Sequence, residues 1–171
     1  MKYGIAIFPS KQLQDVANSL RKRYDTHYAL IPPHITLKEA FNVEDSDLNN
    51  VVAEIKKIAS KTTPFSLNVY KYSSFSPVSN TIYMGVKENE ELLHLQKELN
   101  SGNLDQEEKY QFVPHITVGQ DMDDDEFHDV LGRLRMETIN HEEICDRFQL
   151  LYQLDNGSWT VYETFRLGGE A

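Results

Sequence analysis

The feature that most constrains this chain is a four-residue segment written twice. Pro33-His34-Ile35-Thr36 is followed by Leu37, and Pro114-His115-Ile116-Thr117 is followed by Val118. Each copy sits in its own half of a 171-residue chain. Successive side chains of a strand point to opposite faces. His34 and Thr36 therefore share one face, with Ile35 and Leu37 buried behind them, and His115 and Thr117 do the same against Ile116 and Val118. A polar pair on a rigid apolar backing is predicted twice over.

The surroundings of the two copies match as well. Tyr3, Ile5 and Ile7 predict a buried strand, and Pro9-Ser10 starts a helix over about residues 11–24 with Leu13, Val16, Ala17, Leu20 and Tyr24 on one face. Arg21, Lys22 and Arg23 at its end offset the helix dipole; a patch attracting a phosphate is the alternative. The first motif strand follows Pro32-Pro33. Asp45-Ser46-Asp47 caps a second helix carrying Leu48, Val51, Val52, Ile55, Ile58 and Ala59. Phe65, Leu67 and Val69 then alternate as a strand, and residues 73–80 form a loop.

The second half repeats the plan: a strand with Ile82, Met84 and Val86, a weaker helix with Leu92, Leu95 and Leu99, the second motif strand, and a helix with Phe127, Val130, Leu131 and Leu134. The acid run from Asp121 to Glu126 suits that helix's N-terminus. The chain closes with a hairpin turning at Asp155-Asn156-Gly157-Ser158. Strand, helix, motif strand, helix, strand, twice, predicts an α+β fold. We expect one bilobal domain over residues 1–171, with lobes that share strands and motif halves of roughly 1–75 and 80–171. Mixed or antiparallel sheets with flanking helices would enclose a central cleft about a pseudo-two-fold axis.

Composition narrows the partners. A formal net charge of −10 argues against binding long nucleic acid, whose non-specific affinity comes from Lys and Arg. A small phosphate ligand in a local pocket stays compatible with it. Cys145 is the only cysteine, so no internal disulfide forms and a reducing compartment is the simpler reading. The N-terminal apolar run is too short for a signal peptide and no stretch is long enough to span a bilayer. A cytoplasmic protein without a membrane partner is expected.

The repeated pair points to proton-transfer chemistry. Histidine, with an unperturbed pKa of about 6.5, gives and takes protons near neutrality. Cleaving a phosphodiester needs a base for the attacking oxygen and an acid for the leaving oxygen, and two imidazoles flanking a phosphate supply both without a metal or cofactor. The threonine hydroxyls can donate to non-bridging phosphate oxygens and stabilise charge in the transition state. Strand alternation also turns Lys38 toward the face of His34, as a further phosphate contact. His27, His94, His128 and His141 have no repeated context, and no His-x-x-x-His spacing suggests a metal site.

The duplicated Pro-His-Ile-Thr-apolar pattern resembles the 2H phosphoesterase superfamily, which is named for two His-x-Thr/Ser-x motifs and includes bacterial proteins called 2′-5′ RNA ligases and cyclic phosphodiesterases. The resemblance spans nearly the whole chain, with motif matches at residues 34–37 and 115–118. It implies a bilobal fold with the motif strands facing each other across a cleft. It also implies metal-independent action on a 2′,3′-cyclic or 2′-5′ phosphodiester. His34 is then the proton donor, His115 the proton acceptor, and Thr36 and Thr117 the phosphate ligands. The acidic balance favours a small nucleotide or RNA-end substrate over long RNA. A non-catalytic nucleotide- or RNA-end-binding module and an RNA 2′-5′ ligase are the competing readings.

Overall fold

The computed structural model describes residues 1–169 and arranges eight strands in two four-stranded sheets. The first sheet has the order β2 (Ile35–Asn42), β1 (Lys2–Ile7), β7 (Arg147–Gln153), β8 (Trp159–Arg166). The second has the order β5 (His115–Gly119), β4 (Ile82–Val86), β3 (Phe65–Ser74), β6 (His141–Cys145). Every paired strand is antiparallel. Both motif strands, β2 and β5, are edge strands, and they approach each other across the two sheets.

Helices α1 (Lys11–Tyr24), α2 (Leu48–Lys61), α3 (Glu90–Glu98) and α4 (Asp124–Arg135) fall where apolar spacing predicts them. The Ser10 hydroxyl accepts from Leu13 N, Asn89 Oδ1 from Leu92 N, and Asp123 Oδ1 from Glu126 N. These three caps satisfy N–H groups that the first helical turn leaves unpaired. The acid run is thus a helix start, with Asp124, Asp125 and Glu126 in the first turn of α4. The second helix departs from expectation: residues 45–47 form a 3₁₀ turn, and α2 begins at Leu48 with no side-chain cap.

The two halves exchange parts. The strand ending the first half, β3, joins the second sheet beside β4, and β7 from the second half joins the first sheet beside β1. The helices cross over as well, α1 packing on β5 and α3 on β2. The C-terminal end of each helix ties down the other half's motif strand: Asn100 Nδ2 donates to Leu37 O at 3.0 Å, and Gln120 N donates to Tyr24 O at 2.9 Å. Ile5, Ile7, Ile35, Ile82, Met84 and Ile116 are essentially inaccessible and belong to one continuous core beneath both motifs. Each contributes about 1.5–3 kcal/mol by leaving water.

Two features escaped the sequence reading. β3 runs to Ser74, into the expected loop, and β6 was not expected at all. In β6 the apolar Ile144 faces solvent while Glu143 is half-buried, so the usual apolar-in alternation is inverted on an edge strand.

Candidate active site

The two motif segments have the same burial profile. Pro33, Ile35 and Leu37 are buried while His34 and Thr36 stay partly accessible, and Pro114, Ile116 and Val118 bracket His115 and Thr117 in the same way. The strand registers match too. Ala6 pairs with Thr36 and Ile7 with Ile35, as Tyr83 pairs with Thr117 and Met84 with Ile116. A bulge then follows each threonine, so that Ile5 pairs with Lys38 and Ile82 with Gly119.

Both imidazoles are oriented by the backbone just before them. His34 Nδ1 lies 2.8 Å from Pro32 O, and His115 Nδ1 lies 2.6 Å from Val113 O. A carbonyl only accepts, so each Nδ1 carries the hydrogen and each Nε2 is left to exchange protons. Desolvation by the surrounding protein lowers the pKa of His34 from 6.5 to about 4. The charges of Arg21 and His115 push the same way, and the Pro32 hydrogen bond and Asp25 oppose them. Desolvation also lowers His115, against its bond to Val113.

Each histidine has its own support. Behind His34, Arg21 is buried and donates to Asp25 Oδ2 at 3.0 Å, Asn18 Oδ1 at 2.8 Å and Ile31 O at 2.6 Å. Asp25 Oδ1 accepts in turn from Gln120 Nε2 and His27 N, each at 2.8 Å. Arg21 therefore fixes the segment leading into the first motif, and its donors are taken up by protein. The helix-end basic cluster thus divides into a buried structural Arg21 and exposed Lys22 and Arg23. Around His115 the walls are aromatic: Phe75 and Tyr83 meet the imidazole edge-on at ring-centroid distances of 4.9 and 5.2 Å. The sequence reading left these aromatics unassigned, because nothing local marks which tyrosine or phenylalanine reaches the motif.

A cavity of about 580 Å³ is lined by Thr36 from the first motif and His115 from the second, with Phe75, Val78, Tyr110 and Phe112 beside them, while His34 and Thr117 are not among its lining residues. That volume is in the range of small-molecule sites. Lys38 does not reach this cavity, contrary to the expectation from alternation. The bulge after Thr36 sends Leu37 and Lys38 both inward. The Lys38 ammonium donates to Leu104 O at 2.6 Å and lies 4.9 Å from the Phe41 ring centre, lining a separate cavity of about 720 Å³. Burial lowers its pKa to about 8, against the pull of Asp105 and Glu108.

The other histidines lie apart from the pair. His94 Nε2 is 3.3 Å from Glu98, His128 Nδ1 is 2.7 Å from Asp124 O, and His141 Nε2 is 2.6 Å from Glu143, while His27 is exposed. Among the described residues, no three His, Cys, Asp or Glu side chains converge so as to hold a metal ion. No helix among them is long and apolar enough to cross a membrane.

Comparison with known proteins gives the family and the fold. Residues 8–157 match the family model described as the 2′-5′ RNA ligase superfamily. A protein of Halalkalibacterium halodurans, provisionally named a phosphoesterase, is 57% identical over 170 residues, covering 99% of both chains. A Geobacillus protein named in the same way is 58% identical over 170 residues, covering 99% of this chain and 98% of its own. Among solved structures, TT0787 of Thermus thermophilus covers 100% of both chains with a TM-score of 0.73 at 20% identity. E. coli LigT complexed with 3′-AMP covers 97% of both with a TM-score of 0.73 at 16% identity.

Proposed function

This chain belongs to the 2′-5′ RNA ligase superfamily of 2H phosphoesterases, and we propose that it hydrolyses a small 2′,3′-cyclic or 2′-5′ phosphodiester without a metal, with His34 and His115 as acid and base. The carrying observation is the duplicated hydrogen bond: each Nδ1 is committed to a carbonyl two residues back, which leaves an Nε2 free on each motif strand. In hydrolysis of a cyclic phosphate, His115 Nε2 takes a proton from the attacking water as its oxygen bonds to phosphorus. His34 Nε2–H gives its proton to the departing ribose oxygen as the P–O bond breaks. The hydroxyls of Thr36 and Thr117 donate to the non-bridging oxygens, where charge accumulates.

We assign His34 as the acid and His115 as the base; an anionic phosphate beside His34 favours its protonated form against the desolvation that lowers its pKa. Small nucleotides suit the cavity, and the LigT structures include complexes with 3′-AMP, NADP⁺ and ATP. The test is hydrolysis of a panel of 2′,3′-cyclic nucleotides in excess chelator by the wild type, His34→Ala and His115→Ala. Chelator-resistant turnover that both substitutions abolish supports the reading. Turnover that survives either substitution contradicts it.

A further inference from the structure

The cavity lined by Thr36 and His115 has a charge pattern that the phosphodiester chemistry does not require. Its lining includes three carboxylates, Glu39, Glu107 and Glu108, and a single lysine, Lys109. None of the three carboxylates forms an ion pair among the described residues. Glu108 is held in place by the buried Gln96, whose amide donates to it. Lys109 stands over the exposed Tyr110 ring, 5.5 Å from its centre. The other two bases nearby are engaged elsewhere: Arg21 is enclosed by three acceptors and Lys38 is bound to the Leu104 carbonyl in the neighbouring cavity. Phe75, Val78, Tyr110 and Phe112 supply the apolar and aromatic part of the wall, beside the neutral polar Ser79, Gln106 and Gln111.

A ligand whose phosphate sits at Thr36 and His115 extends its remaining atoms along this wall. Aromatic side chains accept a neutral, flat group by stacking. An additional phosphate there meets like charge from the exposed carboxylates, a repulsion that salt screens. Building on the phosphoesterase reading, we propose that Glu39, Glu107 and Glu108 make this cleft select phosphodiesters that carry no second phosphate, such as a nucleoside 2′,3′-cyclic phosphate with a free 5′-hydroxyl. The acidic wall acts as a filter: it admits a nucleoside cyclic phosphate with a free 5′-hydroxyl and disfavours one that carries a phosphate on its 5′ oxygen.

The test is equilibrium binding of adenosine 3′-phosphate and adenosine 3′,5′-bisphosphate at low ionic strength, to the wild type and to the Glu107→Gln/Glu108→Gln double variant. The proposal expects the bisphosphate to bind about tenfold more weakly to the wild type. It also expects that gap to narrow in the double variant and in added salt. Equal or tighter binding of the bisphosphate overturns the filter and leaves the phosphoesterase reading standing. A gap that the double variant leaves unchanged overturns the role of the carboxylates. Failure of both ligands to bind overturns the filter together with the reading it rests on.

Discussion

His34 and His115 are held by one device used twice: a ring nitrogen hydrogen-bonded to the carbonyl two residues earlier, at 2.8 Å to Pro32 and 2.6 Å to Val113. The buried prolines at 33 and 114 make this contact reproducible, because a fixed φ limits where the preceding carbonyl can point. The tautomer of each imidazole is set by the backbone alone, before any substrate arrives. The pair is also coupled, since charge on His115 lowers the proton affinity of His34. Both rings carrying a positive charge at once is therefore disfavoured.

The depressed His34 predicts a pH dependence of stability. Its folded pKa of about 4 lies below the unfolded 6.5, so the unfolded chain binds more protons between those values. The contribution is fully present above pH 6.5 and is lost as pH falls through the window toward 4. It amounts to at most about 3 kcal/mol. Urea unfolding of the wild type should show stability falling across that window, and His34→Gln should flatten the slope.

Arg21 predicts a structural effect. Removing one member of a buried ion pair typically costs about 3–5 kcal/mol, because the other charge is stranded. Arg21→Met should lose stability on that scale in denaturant unfolding, and adding Asp25→Asn should restore part of it. The same loss freed from Asp25 would mean that the Ile31 carbonyl, not the ion pair, is the contact that matters.

The threonines predict a split between kinetic constants. Thr36→Val and Thr117→Val are close in shape and remove only the donor. Loss of a donor aimed at developing charge lowers kcat by about 10²–10³-fold, and KM should move much less. A rise in KM with kcat unchanged would place these hydroxyls in ground-state binding.

Lys38 predicts the converse. Its ammonium serves Leu104 O and lies outside the motif cavity. Lys38→Met strands that carbonyl and should cost about 1–3 kcal/mol of stability. KM for a cyclic nucleotide should stay within about twofold of the wild type.

The layout of the candidate site was legible in the sequence where it is local. Two identical tetrapeptides, each opening on a proline, fix residue type and strand face, while the hydrogen bond from each imidazole to the backbone came from the structure. The helix starts at Ser10 and Asp123 were readable for the same reason. What escaped was set at long range. The bulge that turns Lys38 inward depends on how β1 pairs with β2, and alternation alone points the side chain the other way. Phe75 and Tyr83 reach His115 because β3 crosses into the sheet of the other half. Arg21 reads as a helix-end cation, and only the fold of residues 25–31 shows that it is buried. β6 was hidden because its apolar residue faces water.

The most direct test of the central claim is the turnover of a 2′,3′-cyclic nucleotide by His34→Ala, His115→Ala and the double variant, with chelator present throughout. Residues that act as one unit lose nearly everything on the first removal. The account predicts that each single variant falls by at least about 10²-fold and that the double variant is scarcely worse than either. Losses that multiply in the double variant, or one histidine that can be removed without effect, would contradict a paired acid and base.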